Sequence, residues 1–183
     1  DSAPDWVIAL GGGSVLDMAK LIGICAVHDV PARQLVTGQV PIEHPALPLI
    51  AVPTTAGSGS EATHFAVIYV DGHKYSVADP SLRPSVAIVD SALCDSLPPS
   101  VTAVSGLDTF CQAVESYWSV QSTEATRRDA ARAIGLVLEF LARAVRRPDP
   151  LARERMSEAA HLAGRAIDVT KTDVKLQERY GRN

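Results

Sequence analysis

The sequence predicts an α/β domain followed by an all-α domain, with both domains incomplete in this chain. Three observations carry that expectation. Short runs rich in Val and Ile alternate with a helical pattern through the first half, which suggests a mostly parallel sheet. From "SLPPSVTAVSG" onward the apolar spacing turns helical and alanine becomes frequent. The chain also opens on a strand that feeds a glycine loop, with no βαβ unit before it, and closes on the polar "DVKLQERYGRN", where the periodicity is lost.

Taken in order, "DWVIAL" is an apolar run closed by three glycines and reads as a buried strand. In "SVLDMAKLIGICAV" the apolar positions Val15, Met18, Ala19 and Ile22 recur at helical spacing. "LPLIAVPTT" is a second buried strand, stopped by Pro53, and "HFAVIYV" and "SVAIVD" are further strand candidates. Pro98 and Pro99 stand at the change of pattern and divide the chain into residues 1–97 and 98–183. Three apolar stripes follow: Phe110, Val114 and Tyr117; then Ile134, Leu138, Leu141 and Val145, ended by Pro148; then Met156, Ala160, Ala163 and Ile167. The Arg-rich "RAVRRPDPLARER" is a solvated helix end and turn.

Composition excludes several classes of function. The 183 residues suffice for one ordinary domain or two small ones, and 46% apolar with 21% charged residues is globular. A net charge of -4 gives no electrostatic reason to expect nucleic acid or an anionic membrane as partner. Cys25, Cys94 and Cys111 are too few and too scattered for a disulfide framework or a zinc cluster, and they suit a reducing cytoplasm. No apolar run approaches the roughly 20 residues needed to span a bilayer. The N-terminal stretch lacks the basic start and cleavage site of a signal peptide.

Two loops carry the chemistry. "GGGS" follows a strand and opens a helix, whose N-terminal N–H groups and positive dipole end suit a phosphate. Ser14 can cap that helix or donate to a phosphate oxygen, and the residues alone allow both. The string is not GxGxxG, so no Rossmann fingerprint is claimed. "PTTAGSGSEAT" also follows a buried strand and gathers Thr54, Thr55, Ser58, Ser60 and Thr63 around two glycines. Two such loops at strand ends suit the rule that ligands bind beyond the carboxyl ends of strands.

Together "ALGGGSVLDMAK", "PTTAGSGSEAT", "KYSVADPSLRPSVAIVD" and "GLDTFCQAVESYW" resemble the iron-dependent (group III) alcohol dehydrogenase family, with matches in the same order from Trp6 to about Thr172. The resemblance implies a nucleotide-binding α/β domain, a helical metal-binding domain, and NAD(P)H-dependent reduction of an aldehyde or oxidation of an alcohol in the cleft between them. Carried over position by position, Gly12, Gly13 and Ser14 would meet the pyrophosphate, with Asp17 nearby. Thr54, Thr55, Ser58 and Thr63 would line the nucleotide, Lys74 would reach toward the ribose beside the nicotinamide, and Leu93 would pack near its ring. The residues by themselves also allow Asp17 as a first-turn acid, Lys74 as a solvated strand-end lysine and Leu93 as a core residue.

The similar enzymes hold a divalent metal, Fe²⁺ or Zn²⁺, with an Asp, a His four residues later and two further His. Asp108 matches the Asp, and Gln112 stands where the first His would be. A glutamine carbonyl coordinates hard cations but is a poorer ligand than imidazole for Fe²⁺ or Zn²⁺. Among the five histidines only His161 lies in the helical half, ahead of where the later ligands are due. "HLAGRAIDVTKT" is similar to the branch of the family that reduces phosphonoacetaldehyde to 2-hydroxyethylphosphonate. There Arg165, Thr170, Lys171 and Thr172 would offer charge-assisted hydrogen bonds to a phosphonate, or simply form the basic end of a helix. The alternative is a nucleotide-binding module with a lost or incomplete metal site and no redox activity. The sequence leaves open NAD against NADP, the metal's identity and the oligomeric state, a homodimer included.

Overall fold

The computed structural model describes residues 4–170; Lys171 and Thr172, expected near a phosphonate, lie outside the described residues. The α/β half contains β1 (Val7–Gly11), α1 (Gly13–Cys25), α2 (Ala32–Val36), β2 (Leu49–Pro53), β3 (Phe65–Val70), β4 (His73–Ala78) and β5 (Val86–Ala87). β1, β2 and β5 form a parallel sheet in that order, with Ala9 opposite Ala51 and Gly11 opposite Pro53. The two chemistry-bearing loops therefore leave the same edge of the sheet, at the carboxyl ends of neighbouring strands.

The sheet is smaller than the strand candidates suggest. "SVAIVD" contributes only the two exposed residues of β5. "HFAVIYV" forms β3, but it pairs antiparallel with β4 in a separate hairpin, Val70 opposite His73. Its turn is Asp71-Gly72, both at positive φ (51° and 78°), the two-residue geometry that an Asp-Gly pair favours.

The helical half consists of α3 (Pro99–Trp118), α4 (Glu124–Arg146) and α5 (Pro150–Thr170), packed on one another. α3 begins with Pro99 at its first turn, where a missing N–H costs nothing. α4 is opened by a reciprocal cap between Thr123 and Thr126. The shared core is built from Ala113, Ala133, Val137, Ala144, Met156, Ala159, Ala160 and Ala163, with Phe110 and Leu141 against it. Small residues on facing helices allow close approach: a Cβ on Gly106 would lie 2.3 Å from a methyl of Leu141.

That closeness decides which stripe is buried. The expected set Met156, Ala160, Ala163 and Ile167 is buried as predicted. On α3, however, Tyr117 is exposed, and the inner face is Thr102, Gly106, Thr109, Ala113 and Ser116. On α4, Leu138 is 71% exposed while Ala130, Ala133, Val137 and Ala144 are buried. On α1, the spaced positions Val15, Met18 and Ile22 point outward, and Leu16, Ala19, Lys20, Leu21 and Ile24 pack inward. On the sheet, Ile8 and Leu10 present an apolar face that no described residue covers. No helix among the described residues is long and apolar enough to cross a membrane.

Candidate functional site

The glycine loop becomes a helix N-terminus at Gly12, the N-cap of α1, which makes no side-chain capping bond. Ser14 is therefore not the cap: it is the second residue inside the helix and exposed; the Val15 and Leu16 N–H groups donate to the Gly12 carbonyl at 2.9 and 3.1 Å, which leaves those of Gly13 and Ser14 without an intrahelical acceptor. Gly12 and Gly13 are glycines for a packing reason. A Cβ on Gly13 would stand 2.5 Å from the Ser58 hydroxyl, and one on Gly12 would stand 3.3 Å from Thr55. The two loops thus touch each other directly, and the N–H of Thr54 donates to the Gly11 carbonyl at 2.9 Å.

Three helices grip the second loop. From α3, Thr109 donates to the Gly57 carbonyl at 3.0 Å, and Ser105 closes over Gly57. From α5, Gly164 abuts Gly59, whose φ of 61° favours glycine. From α1, Asp17 accepts from the Ser60 hydroxyl and from the Val67 N–H at 2.9 Å, while Lys20 donates to Thr63 Oγ1 at 2.9 Å and to the Phe65 carbonyl at 2.8 Å.

The outcome is a cavity of about 670 Å³ between the halves. One wall is Gly13, Ser14 and Asp17 of α1; the second is Thr55 and Ser58; the third is Val101, Val104 and Asp108 of α3. Five predicted cofactor residues and the predicted metal carboxylate thus line one space. The remaining predicted residues are placed elsewhere. Gly12 and Thr54 join the two loops behind the cavity. Thr63 is buried and bonded to Lys20. Lys74 lines a separate cavity between β4 and the 37–42 segment. Leu93 is partly exposed on a 3-10 turn, Ser91–Cys94, and does not line the cavity of Asp108.

Arg165 is also drawn away. It pairs with Asp129 at 3.1 Å and lines a third cavity with Glu61, Arg83, His161 and Asp168. That cavity and the one at Asp108 have no lining residue in common. His161 is held by Glu61 at 3.2 Å, and Thr170 bonds back to its own helix, so both have structural partners.

Asp108 and Gln112 do meet, with the amide nitrogen of Gln112 donating to Asp108 Oδ2 at 2.9 Å. The Gln112 carbonyl oxygen is buried with no hydrogen-bond partner among the described residues. An orphaned amide oxygen costs about 1–3 kcal/mol, so the amide gains if its oxygen finds a cation or a donor. Swapping the two amide ends would turn the carbonyl toward Asp108 and give a divalent cation two oxygen donors. Two donors are a partial set: no group of three His, Cys, Asp or Glu among the described residues could hold a metal. The pair could form only part of a cation's shell, and no further ligand stands beside it among the described residues.

Sequence reasoning missed Lys20, because lysine is expected at the surface. It also missed the α3 wall, although Val101, Val104 and Ser105 precede Asp108 at helical spacing and could have been read from it.

Comparisons with known proteins identify the family of the chain. Residues 1–91 match the family described as iron-containing alcohol dehydrogenase, and residues 102–174 match the C-terminal part of the Fe-containing alcohol dehydrogenase family. A probable alcohol dehydrogenase, EutG, of Salmonella typhimurium is 42% identical over 170 residues, covering 91% of this chain and 43% of its own length. Two solved structures are similar in fold. A sulfoacetaldehyde reductase from Bifidobacterium kashiwanohense in complex with NAD⁺ has a TM-score of 0.87 and 37% identity, over 91% of this chain and 45% of that one. An iron-containing alcohol dehydrogenase from Thermotoga maritima has a TM-score of 0.85 and 31% identity, over 93% of this chain and 46% of that one. The chain thus spans less than half the length of these relatives.

Proposed function

The chain belongs to the iron-containing alcohol dehydrogenase family, and from that premise we propose an NAD(P)H-linked, metal-dependent alcohol dehydrogenase or aldehyde reductase activity on a small aldehyde. One observation carries the reading: a single cavity joins an uncapped helix N-terminus, two loop hydroxyls and Asp108. The N–H groups of Gly13 and Ser14 at the start of α1, with the Thr55 and Ser58 hydroxyls, bind the pyrophosphate as donors. Val101 and Val104 give the cavity an apolar wall on the α3 side. Asp108, with Gln112 beside it, would contribute oxygen donors to the cation. When bound, the cofactor supplies the hydride and the divalent cation supplies polarisation of the carbonyl. Among the described residues that line the cavity, no side chain is placed as a general acid.

Within that class the substrate we propose is phosphonoacetaldehyde, reduced to 2-hydroxyethylphosphonate. Gln112, the "HLAGRAIDVTKT" segment and the likeness to a sulfoacetaldehyde reductase, whose substrate is also a two-carbon aldehyde with an anionic tail, support it. Of the residues expected at the tail, Arg165 pairs with Asp129 and lines a different cavity, and Lys171 and Thr172 lie outside the described residues. The two-donor metal site favours one other reading, a nucleotide-binding module without redox activity.

The test is consumption of NADH and NADPH by the full-length protein with phosphonoacetaldehyde, sulfoacetaldehyde and unsubstituted aldehydes, with added Fe²⁺ or Zn²⁺ and after chelation. The expected result is cation-dependent turnover, with the highest kcat/KM for phosphonoacetaldehyde. NADH binding without turnover of any aldehyde would establish the module instead.

A further inference from the structure

Lys20 is 2% exposed, in the middle of α1 and one turn beyond the cavity-lining Asp17. Burying an ammonium costs several kcal/mol unless it is well partnered, so core packing alone would be served better by an apolar side chain of similar length. Lys20 is instead fully engaged. Its Nζ reaches Thr63 Oγ1 and the Phe65 carbonyl, and it lies 3.8 Å from Asp17 Oδ1. Asp17 in turn holds Ser60 and the Val67 N–H. The pair forms a bracket on one face of α1 that grips residues 60–67, where the hydroxyl loop leaves the site. The entrance of the loop is tied by Thr54 to Gly11, so the segment carrying Thr55 and Ser58 is held at both ends.

We propose that Lys20 is a positioning residue for the dinucleotide: its buried ammonium fixes the Thr55–Ser58 loop against α1 and places a positive charge behind the pyrophosphate subsite. The inference rests on the nucleotide-binding reading above. The charged groups around Lys20 are Asp17 on its own helix, Glu61 on the 3-10 turn and Asp168 on α5. Glu61 is joined to His161, and Asp168 to His64 and Arg83. Burial lowers the Lys20 pKa to about 8, against the upward pull of the three carboxylates. As pH rises through that value the positive charge is lost and the carboxylates remain, so affinity for an anionic dinucleotide falls.

The experiment is NADH binding by calorimetry to the full-length protein, wild type against Lys20→Met, from about pH 7 to about pH 9, across the Lys20 value of about 8. Lys20→Met is expected to raise the Kd roughly tenfold, and the wild-type Kd to rise roughly fivefold across the range while that of the variant stays flat. In turnover the loss falls on the KM for NADH, with kcat nearly unchanged. Should Lys20→Met not fold, Thr63→Val reads the same contact from its other end, and a raised Kd is again expected. Unchanged affinity in the variant that folds, or pH profiles that coincide, would overturn the role of Lys20 while leaving the nucleotide reading intact. Wild-type protein that fails to bind NADH at any pH would sink both.

Discussion

At the scale of single residues, the informative contact is between Gln112 and Asp108. Their spacing of four on one helix predicts a shared face, and the structure joins them by a hydrogen bond. The sequence could not reveal that the amide donates to the carboxylate and leaves its carbonyl buried without a partner among the described residues, because amide orientation depends on surroundings contributed by other elements. An imidazole at this position would replace a hard, weak donor with a better ligand for Fe²⁺ or Zn²⁺. Gln112→His is therefore expected to strengthen Zn²⁺ retention about tenfold or more, read by elemental analysis after dialysis against graded chelator. Equal retention by the two proteins would show that position 112 is not a ligand position.

At the scale of elements, helix α5 and the hydroxyl loop cross at two glycines. An added Cβ on Gly164 would meet the Gly59 carbonyl oxygen at 2.5 Å and the Gly59 Cα at 2.8 Å, and neither is the movable end of a side chain. Gly164→Ala gains about 1 kcal/mol of helix propensity but overpacks a backbone contact at a cost of about 1–3 kcal/mol or more. The clash wins where neither backbone can give way, so the urea midpoint is expected to fall and NADH affinity with it, since the displaced loop carries Ser58. A midpoint equal to wild type would mean that α5 slides without cost. The N-terminal cap of α4 offers a simpler case. Thr123→Ala removes the acceptor for the Thr126 N–H and is expected to cost about 1 kcal/mol in thermal or urea unfolding, with no change in nucleotide affinity. Element positions were largely legible, because glycines, prolines and caps act within a few residues. Buried faces were less so: alanines and glycines face the close helix–helix contacts, while larger apolar residues such as Leu138 remain outside.

At the scale of the whole molecule, Asp168 fastens the two halves. It is 3% exposed on α5 and accepts from the His64 N–H and from His64 Nδ1, each at 2.6 Å, and from Arg83. Both partners belong to the α/β half, so the carboxylate ties α5 directly to that half. Asp168→Ala removes one member of a buried network, a change that typically costs about 3–5 kcal/mol. The expected result is a marked loss of unfolding free energy, measured in urea; a loss under about 1 kcal/mol would show that the remaining contacts of α3 and α5 with residues 57–61 suffice to join the halves. The sequence by itself determined β1, α1, β2 and β3, the helical second half, the glycine and hydroxyl loops and the motifs that mark the family, but not α2 or β4, since what it did determine is written in residues close together along the chain. Only the tertiary structure decided that Lys20 is buried beneath the hydroxyl loop, that Arg165 turns to Asp129, and that Asp168 reaches His64 across 104 positions. Those pairings depend on which surfaces of distant elements meet, and no local spacing encodes them.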